Sequence, residues 1–346
     1  MKRMQTFTRI FASLAALALT GAVSANELVK VGYPRTATDI AIYVADKRGY
    51  FKAEGLTVQL TNFQSAAMMI VPITTGDIDV MAGSASAGLY NAIARGLEIR
   101  LVGSKVSTPK GRTSQTLIVR QELLDSGKVK SVADLKGMKI ANAAPGTASI
   151  STLNRMLRSA GLTLKDVDIV TVGFPQMRPA LQNGAVAAAL PAEPFTMQTV
   201  RAGIAGPLVR DDEVYPGHEI ASFMFSGQFI RERRDVAFRF LRALIKGARD
   251  HNDALDDQGM FAGPKGDAII AILNEYTPIK DPNFFKSFAL AYCDPDGAVN
   301  VDTLREDLEL FRTLGLVKSD VSVEKLVDDS LRQQVIKELG PYKKAN

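Results

Sequence analysis

Hydroxyl residues at the starts of helical stretches are the side chains best placed to do chemistry. Ser84 and Ser86 stand in Gly83-Ser84-Ala85-Ser86, and Thr147 ends Ala144-Pro145-Gly146-Thr147. The first amides of a helix have no intrahelical partner, and each N-terminus behaves like about half a positive charge. Several termini aimed at one point would hold a carboxylate or sulfonate without a metal. Taken singly, each hydroxyl is more readily an N-cap; only convergence makes a site. Arg35 and Arg178 lie in or just after neighbouring loops. Either guanidinium would clamp an oxyanion through paired hydrogen bonds, with a surface or interlobe salt bridge as the competing role. Glu193, directly before Pro194, would accept an amine or amide, or simply favour the dipole of the helix behind it. Tyr33, Phe195 and Phe223 are candidates to pack an apolar portion of a ligand, although core packing is the usual role of Phe.

Catalysis would need an activated nucleophile or a paired acid and base. The chain offers no Gly-x-Ser-x-Gly elbow, and His218 and His251 stand away from these loops. Cys293 is the single cysteine, so neither an intramolecular disulfide nor a Cys/His zinc cluster can form. Binding without reaction is the expectation, with no metal and no cofactor.

The elements that must position these loops alternate β-rich runs with amphipathic helices, the pattern of α/β architecture. Leu28–Tyr33, Leu56–Phe63, Asp79–Gly83 and Ile99–Ser104 are expected strands. Helices are expected over Asp39–Phe51, Ala66–Thr75 and from Ser86 to about Arg95. After a polar stretch from Lys105 to Ser114, a second block runs to about Gly217, with strands at Gln115–Val119, Lys139–Ala143, Asp168–Val172, Val186–Leu190 and Leu208–Arg210. Beyond Ile230 the chain reads as helical, with helices over Arg231–Asp256, Gly266–Tyr276, Asp281–Leu290, Val301–Leu314 and Ser322–Leu339. Two Rossmann-like lobes with a central cleft and a double crossover are expected, the chain crossing near Gly111–Gln115 and returning near Ala221–Gly227. Residues 26–112 with 224–346 would form one lobe and 113–223 the other. In open α/β sheets a ligand sits beyond the carboxyl ends of the strands, where all the loops above are found.

The N-terminus limits where this chemistry takes place. Lys2, Arg3 and Arg9 precede an apolar run from Ile10 to Leu19, and Gly21-Ala22-Val23-Ser24-Ala25 supplies small residues. This is the layout of a secretory signal peptide cleaved near Ala25, its apolar core too short for the roughly 20 residues of a membrane span. A periplasmic protein is expected. Without that segment's three basic residues, 39 of the 42 basic residues face 37 acidic ones, so the basic pI argues little for nucleic acid. Arg239, Arg242, Lys246 and Arg249 share one helical face, read as a solvated face opposite an apolar one.

Five segments occur in a telling order: Glu54-Gly55-Leu56-Thr57-Val58, Gly76-Asp77-Ile78-Asp79-Val80, Asp134-Leu135-Lys136-Gly137-Met138-Lys139-Ile140, Gly146-Thr147 and Glu193-Pro194-Phe195. From Leu28 to Leu255 the chain resembles the periplasmic solute-binding proteins of ABC importers for nitrate, taurine, alkanesulfonates and thiamine-precursor pyrimidines. The resemblance implies a type II periplasmic binding fold that closes on a small ligand and delivers it to a permease with its ATPase subunits. Carried over position by position, it implies a pocket using Tyr33, Gln64, Ser84, Ser86, Thr147, Arg178 and Glu193. Pyrimidine-binding relatives tend to place Trp after the first strand, where this chain has Tyr33 and, throughout, no Trp. An organic sulfonate or carboxylate, aromatic ones included, is therefore the first expectation. A zwitterion or a pyrimidine follows, and nitrate comes last. A soluble sensory receptor or an enzyme on the same fold are the alternatives, and a monomer is expected.

Overall fold

A computed structural model describes residues 26–344; the expected signal peptide lies outside the described residues. The first block runs β1 (Glu27–Tyr33), α1 (Ile40–Lys47), α2 (Tyr50–Ala53), β2 (Leu56–Asn62), α3 (Ile70–Thr75), β3 (Val80–Gly83), α4 (Ala87–Ala94) and β4 (Ile99–Thr108). The second runs β5 (Thr116–Arg120), α5 (Gln121–Asp125), β6 (Lys139–Asn142), α6 (Ala148–Ser159), β7 (Asp168–Thr171), α7 (Phe174–Gln182), β8 (Ala188–Ala189), α8 (Phe195–Arg201), β9 (Ala205–Arg210) and α9 (Asp211–Val214). The chain then adds β10 (His218–Ser226), α10 (Gly227–Glu232), α11 (Arg234–Asp253), α12 (Gly263–Tyr276), α13 (Val301–Thr313) and α14 (Ser330–Leu339).

Two five-stranded sheets result, ordered β2-β1-β3-β10-β4 and β7-β6-β8-β5-β9. In each, four strands share one direction, and one inserted strand (β10 or β5) runs antiparallel to both its neighbours. The inserted strands are those that receive the chain from the other sheet. Each lobe is thus completed by a strand that enters it from a crossing. The chain leaves the first sheet after β4 at Thr108 and enters the second at Thr116 of β5. The return lies earlier than Ala221–Gly227, because β10 already pairs with β4 from His218 onward.

The crossings run side by side and are bonded to each other. The buried Asp211 carboxylate accepts from the Thr113 hydroxyl at 2.7 Å, from the Gln115 amide at 2.7 Å and from the Ser114 amide at 3.2 Å. Asp212 accepts from the Gly111 amide at 2.8 Å. Beside them His218 reaches Asp307 on α13 at 2.9 Å and Thr152 on α6 at 3.3 Å, with Tyr215 stacked on its ring. Apolar packing reinforces this side: Leu153 and Met156 of α6 share a core with Leu304, Leu308 and Phe311 of α13. A second core, around α1, α11 and α12, covers one face of the first sheet.

The expected helix over Asp39–Phe51 is split by Gly49, whose φ of +73° is left-handed. Asp281–Leu290 is not an α-helix and forms only a short turn over Phe285–Ser287. Phe284, Phe285 and Phe288 have helical spacing, but they pack against one another edge-on around a turn begun by the Asp281 side chain. Ser322–Leu339 is α-helical only from Ser330, with a 3-10 turn over Val323–Lys325 before Asp328 turns the chain by accepting from the Ser330 amide. The basic face of α11 is ion-paired: Arg242 and Lys246 bind the buried Glu54 at 2.5 and 2.9 Å, and Arg249 binds Asp296 at 2.7 Å.

Candidate functional site

Six loops leave the carboxyl ends of the parallel strands β1, β2, β3, β6, β7 and β8, and all six meet at one cavity between the sheets. The first lobe contributes Pro34, Thr36 and Thr38 after β1, Ser65 and Ala66 after β2, and Gly83 and Ser84 after β3. The second contributes Ala143, Thr147 and Ser149 around the start of α6, Phe174 after β7 and Ala192 after β8. The crossings form the floor through Ser114 and Gln115, and Lys105, Ile220 and Ala221 close it from β4 and β10. The cavity encloses about 530 Å³, counting its mouth.

Lys105 is the cation that lines it. Its side chain is 1% exposed and lies 2.5 Å from Asp39, which is fully buried. Asp39 also accepts from the Thr36 amide at 2.7 Å and the Thr36 hydroxyl, so it is held by the loop it caps. An ammonium has three donors; Asp39 engages one face of Lys105 while Lys105 also borders the cavity. Gln115 donates to the Ser149 hydroxyl at 2.5 Å, and its buried Oε1 has no partner. The lining therefore combines a paired cation, hydroxyls, one free amide acceptor and the apolar faces of Phe174 and Ile220. That mixture suits a small polar molecule carrying an oxyanion.

The expected site residues fall into three groups. Ser84 and Thr147 line the cavity, and the Thr147 hydroxyl donates to the Ala144 carbonyl at 3.0 Å. Ser86 caps α4, accepting from the Leu89 amide, and Gln64 is an exposed side chain beside Gly173 across the cleft. The remainder are not among the lining residues. Tyr33 packs edge-on against Tyr43, and Arg35 donates to the Tyr276 carbonyl at 2.9 Å from a left-handed backbone. Arg178 is exposed on α7, and Phe195 is half-buried at the start of α8. Phe223 is buried in the core around α1 and α11. Glu193 is buried beside a separate cavity with Met197 and Phe288, where it accepts from the Met197 amide at 3.2 Å. Burial pushes its carboxyl up to about 8.

Sequence reasoning passed over Lys105, Asp39 and Gln115. One signal was available: Lys105 interrupts the otherwise uncharged run from Leu101 to Thr108, and a charge on a buried strand needs a partner. Neither histidine lines the cavity. His251 is buried with both ring nitrogens unpartnered, and burial lowers its pKa to about 3. Burial pushes the Cys293 thiol up to about 12, far from the thiolate a nucleophile requires. Among the described residues, no group of three or more His, Cys, Asp or Glu is placed to hold a metal ion. None of the described helices is long and apolar enough to cross a membrane.

Known proteins share both the fold and part of the sequence. A Haemophilus influenzae protein named for thiamine biosynthesis is 31% identical over 54% of this chain and 57% of its own length. An Escherichia coli protein named for binding aliphatic sulfonates is 26% identical over 48% of this chain and 49% of its own. The chain thus spans about half the length of the curated relatives it matches. Among solved structures, the periplasmic nitrate-binding protein of Synechocystis superposes with a TM-score of 0.73 at 14% identity, covering 90% of this chain and 89% of that one. A desulfurization enzyme shares the fold as well, with a TM-score of 0.63 at 15% identity over 90% and 99% of the two chains. The two-lobed architecture is that of periplasmic binding proteins, and residues 24–257 match the NMT1-like family model. The chain belongs to the NMT1-like family.

Proposed function

We propose that the chain is the solute-binding component of an ABC importer. It captures a small organic oxyanion, a sulfonate or carboxylate, between its lobes and delivers it to a permease and its ATPase subunits. The observation that carries this reading is the six-loop cavity with Lys105 on its wall. Ser84, Thr147 and the floor residue Gln115 complete the polar contacts, and Phe174 and Ile220 take the apolar part. Lys105 takes the anion-holding role expected of Arg178. The moving bodies are the two sheets with their helices, divided at the paired crossings. The leader pattern ending near Ala25 and the periplasmic binding proteins of similar fold support a periplasmic location.

A second reading has a specific observation behind it. The free Oε1 of Gln115 asks for a donor on the ligand, which an amino-sulfonate or an aminopyrimidine supplies. The relative named for thiamine biosynthesis leans the same way.

A thermal-shift screen of ethanesulfonate, taurine, benzoate, amino acids and aminopyrimidines tests both readings. A ligand at 100 times its Kd stabilises the folded state by about 2.7 kcal/mol, and it is expected to be recovered unaltered. A shift from aminopyrimidines alone would favour the second reading. A chemically changed ligand would replace transport by catalysis.

A further inference from the structure

We propose that two main-chain latches, from the Ala87 amide to the Gly146 carbonyl and from the Ala37 amide to the Glu193 carbonyl, hold the lobes closed and set the affinity of the cleft. The first bond is 2.7 Å long and the second 3.1 Å. Both donors belong to the first lobe and both acceptors to loops of the second.

The donors are helix-start amides, the groups that would otherwise offer positive potential to an anion. Ala87 is the first residue of α4 and Ala37 the first of a short helical turn over Ala37–Asp39. Their amides have no partner within the helix, and in the closed molecule the opposite lobe satisfies both. The acceptors flank the cavity, since Thr147 follows Gly146 and Ala192 precedes Glu193. When the lobes part, each donor and acceptor returns to water, so the bonds form only on closure around the cavity.

Gly146 shows that this approach is built in. Its φ is +61°, and a Cβ placed on it would lie 2.6 Å from the Ala87 Cβ. Ala87 is buried and carries the smallest side chain a chiral residue allows. Any side chain at position 146 would wedge the lobes apart at the latch. Ala37 and Ala87 are thus positioning residues: their amides fix the closed geometry in which Lys105, Ser84 and Gln115 reach a ligand together.

The latches can be removed without damaging the helices that carry them. Proline is favoured at the first helical position, where its missing N–H is not needed. It requires an extended residue before it, and Thr36 and Ser86 have ψ of 170° and 161°. Ala37→Pro and Ala87→Pro therefore delete one donor each. With a net bond near 1.4 kcal/mol, affinity should weaken about tenfold for each and about a hundredfold for both. Because proline also restricts the unfolded chain, which offsets the lost bond, the melting temperature of the unliganded protein should stay nearly unchanged.

The inference rests on the cleft reading above, so the test carries a readout that needs no ligand. Spin labels on cysteines introduced at the exposed Lys52 and Lys165 report the interlobe distance, with ethanesulfonate or benzoate present and absent. The expected result is a longer distance in the double proline variant than in the parent without ligand, and a ligand-driven shortening that the variant resists. Gly146→Ala should behave likewise. Equal distance distributions in parent and variant would overturn the latches even if the anions bind. Failure of every anion to bind the parent, with the distances still differing, would overturn the cleft reading and leave the latches standing. Loss of affinity with a lowered unliganded melting temperature and unchanged distances would reduce both alanines to a structural role.

Discussion

On the side of the crossings the lobes are joined through buried side-chain charge, whereas across the cleft the two latches join main chain to main chain. Asp211 gathers a hydroxyl and the amides of Ser114 and Gln115 around one buried carboxylate, and His218 ties α6 to α13. At the cleft, the Ala37 and Ala87 amides meet two carbonyls around a cavity lined by hydroxyls and Lys105. The difference is one of reversibility. A buried carboxylate stripped of its donors loses several bonds at once, so that joint stays shut. Two main-chain hydrogen bonds, whose groups are solvated again when they part, are worth only about 1.4 kcal/mol each. On the proposed reading, one side is a hinge and the other a clasp.

The largest expected effect comes from pH, because each side holds one buried carboxyl that burial pushes up to about 8: Glu219 near the crossings and Glu193 at the cleft. Each favours the neutral form in the fold. Their stabilisation is complete below the unfolded value near 4.5 and is lost as pH rises toward 8, at about 1.4 kcal/mol per unit. Urea midpoints should fall across that window. Glu219→Gln and Glu193→Gln, which keep the neutral shape, should each flatten the fall by a similar amount, because burial pushes both carboxyls up to about 8. Identical slopes in all three proteins would show that neither carboxyl stays neutral.

Next in size is the hinge itself. Asp211→Ala strands the Ser114 and Gln115 amides in a buried joint and should lose about 3–5 kcal/mol in chemical denaturation, ligand or not. Lys105→Met should lose about 3–5 kcal/mol, because it strands the fully buried Asp39 without its partner. It should also abolish the anion-induced thermal shift. Binding retained in Lys105→Met would move the anion contact elsewhere on the cavity wall. Smallest of all, Ala37→Pro and Ala87→Pro should leave the unliganded stability within about 0.5 kcal/mol. If the cleft variants proved as damaging to the unliganded protein as Asp211→Ala, the contrast between hinge and clasp would collapse.

The loops were legible because a rule about sheets applies to each lobe separately: Ser84 and Thr147 follow strands whose carboxyl ends must face the cleft. Arg178 was misplaced because position along a helix start does not reveal which way the side chain leaves the helix. The segment Asp281–Leu290 misled because three phenylalanines at spacings of one and three satisfy a helical pattern and a packed aromatic turn equally well. Lys105 and Asp39 escaped notice because they lie 66 positions apart in sequence, and nothing local pairs them.

By itself, the sequence determined that the chain is a two-block α/β protein with candidate ligand loops at strand ends, one cysteine and no recognisable nucleophile. Those properties follow from local periodicity, capping and composition, which each segment carries alone. The tertiary structure decided which amides meet carbonyls across the cleft, which cation borders the cavity, and that the return crossing begins at Asp211. Each of these depends on where one lobe stands relative to the other, and that placement is set by a handful of long-range bonds.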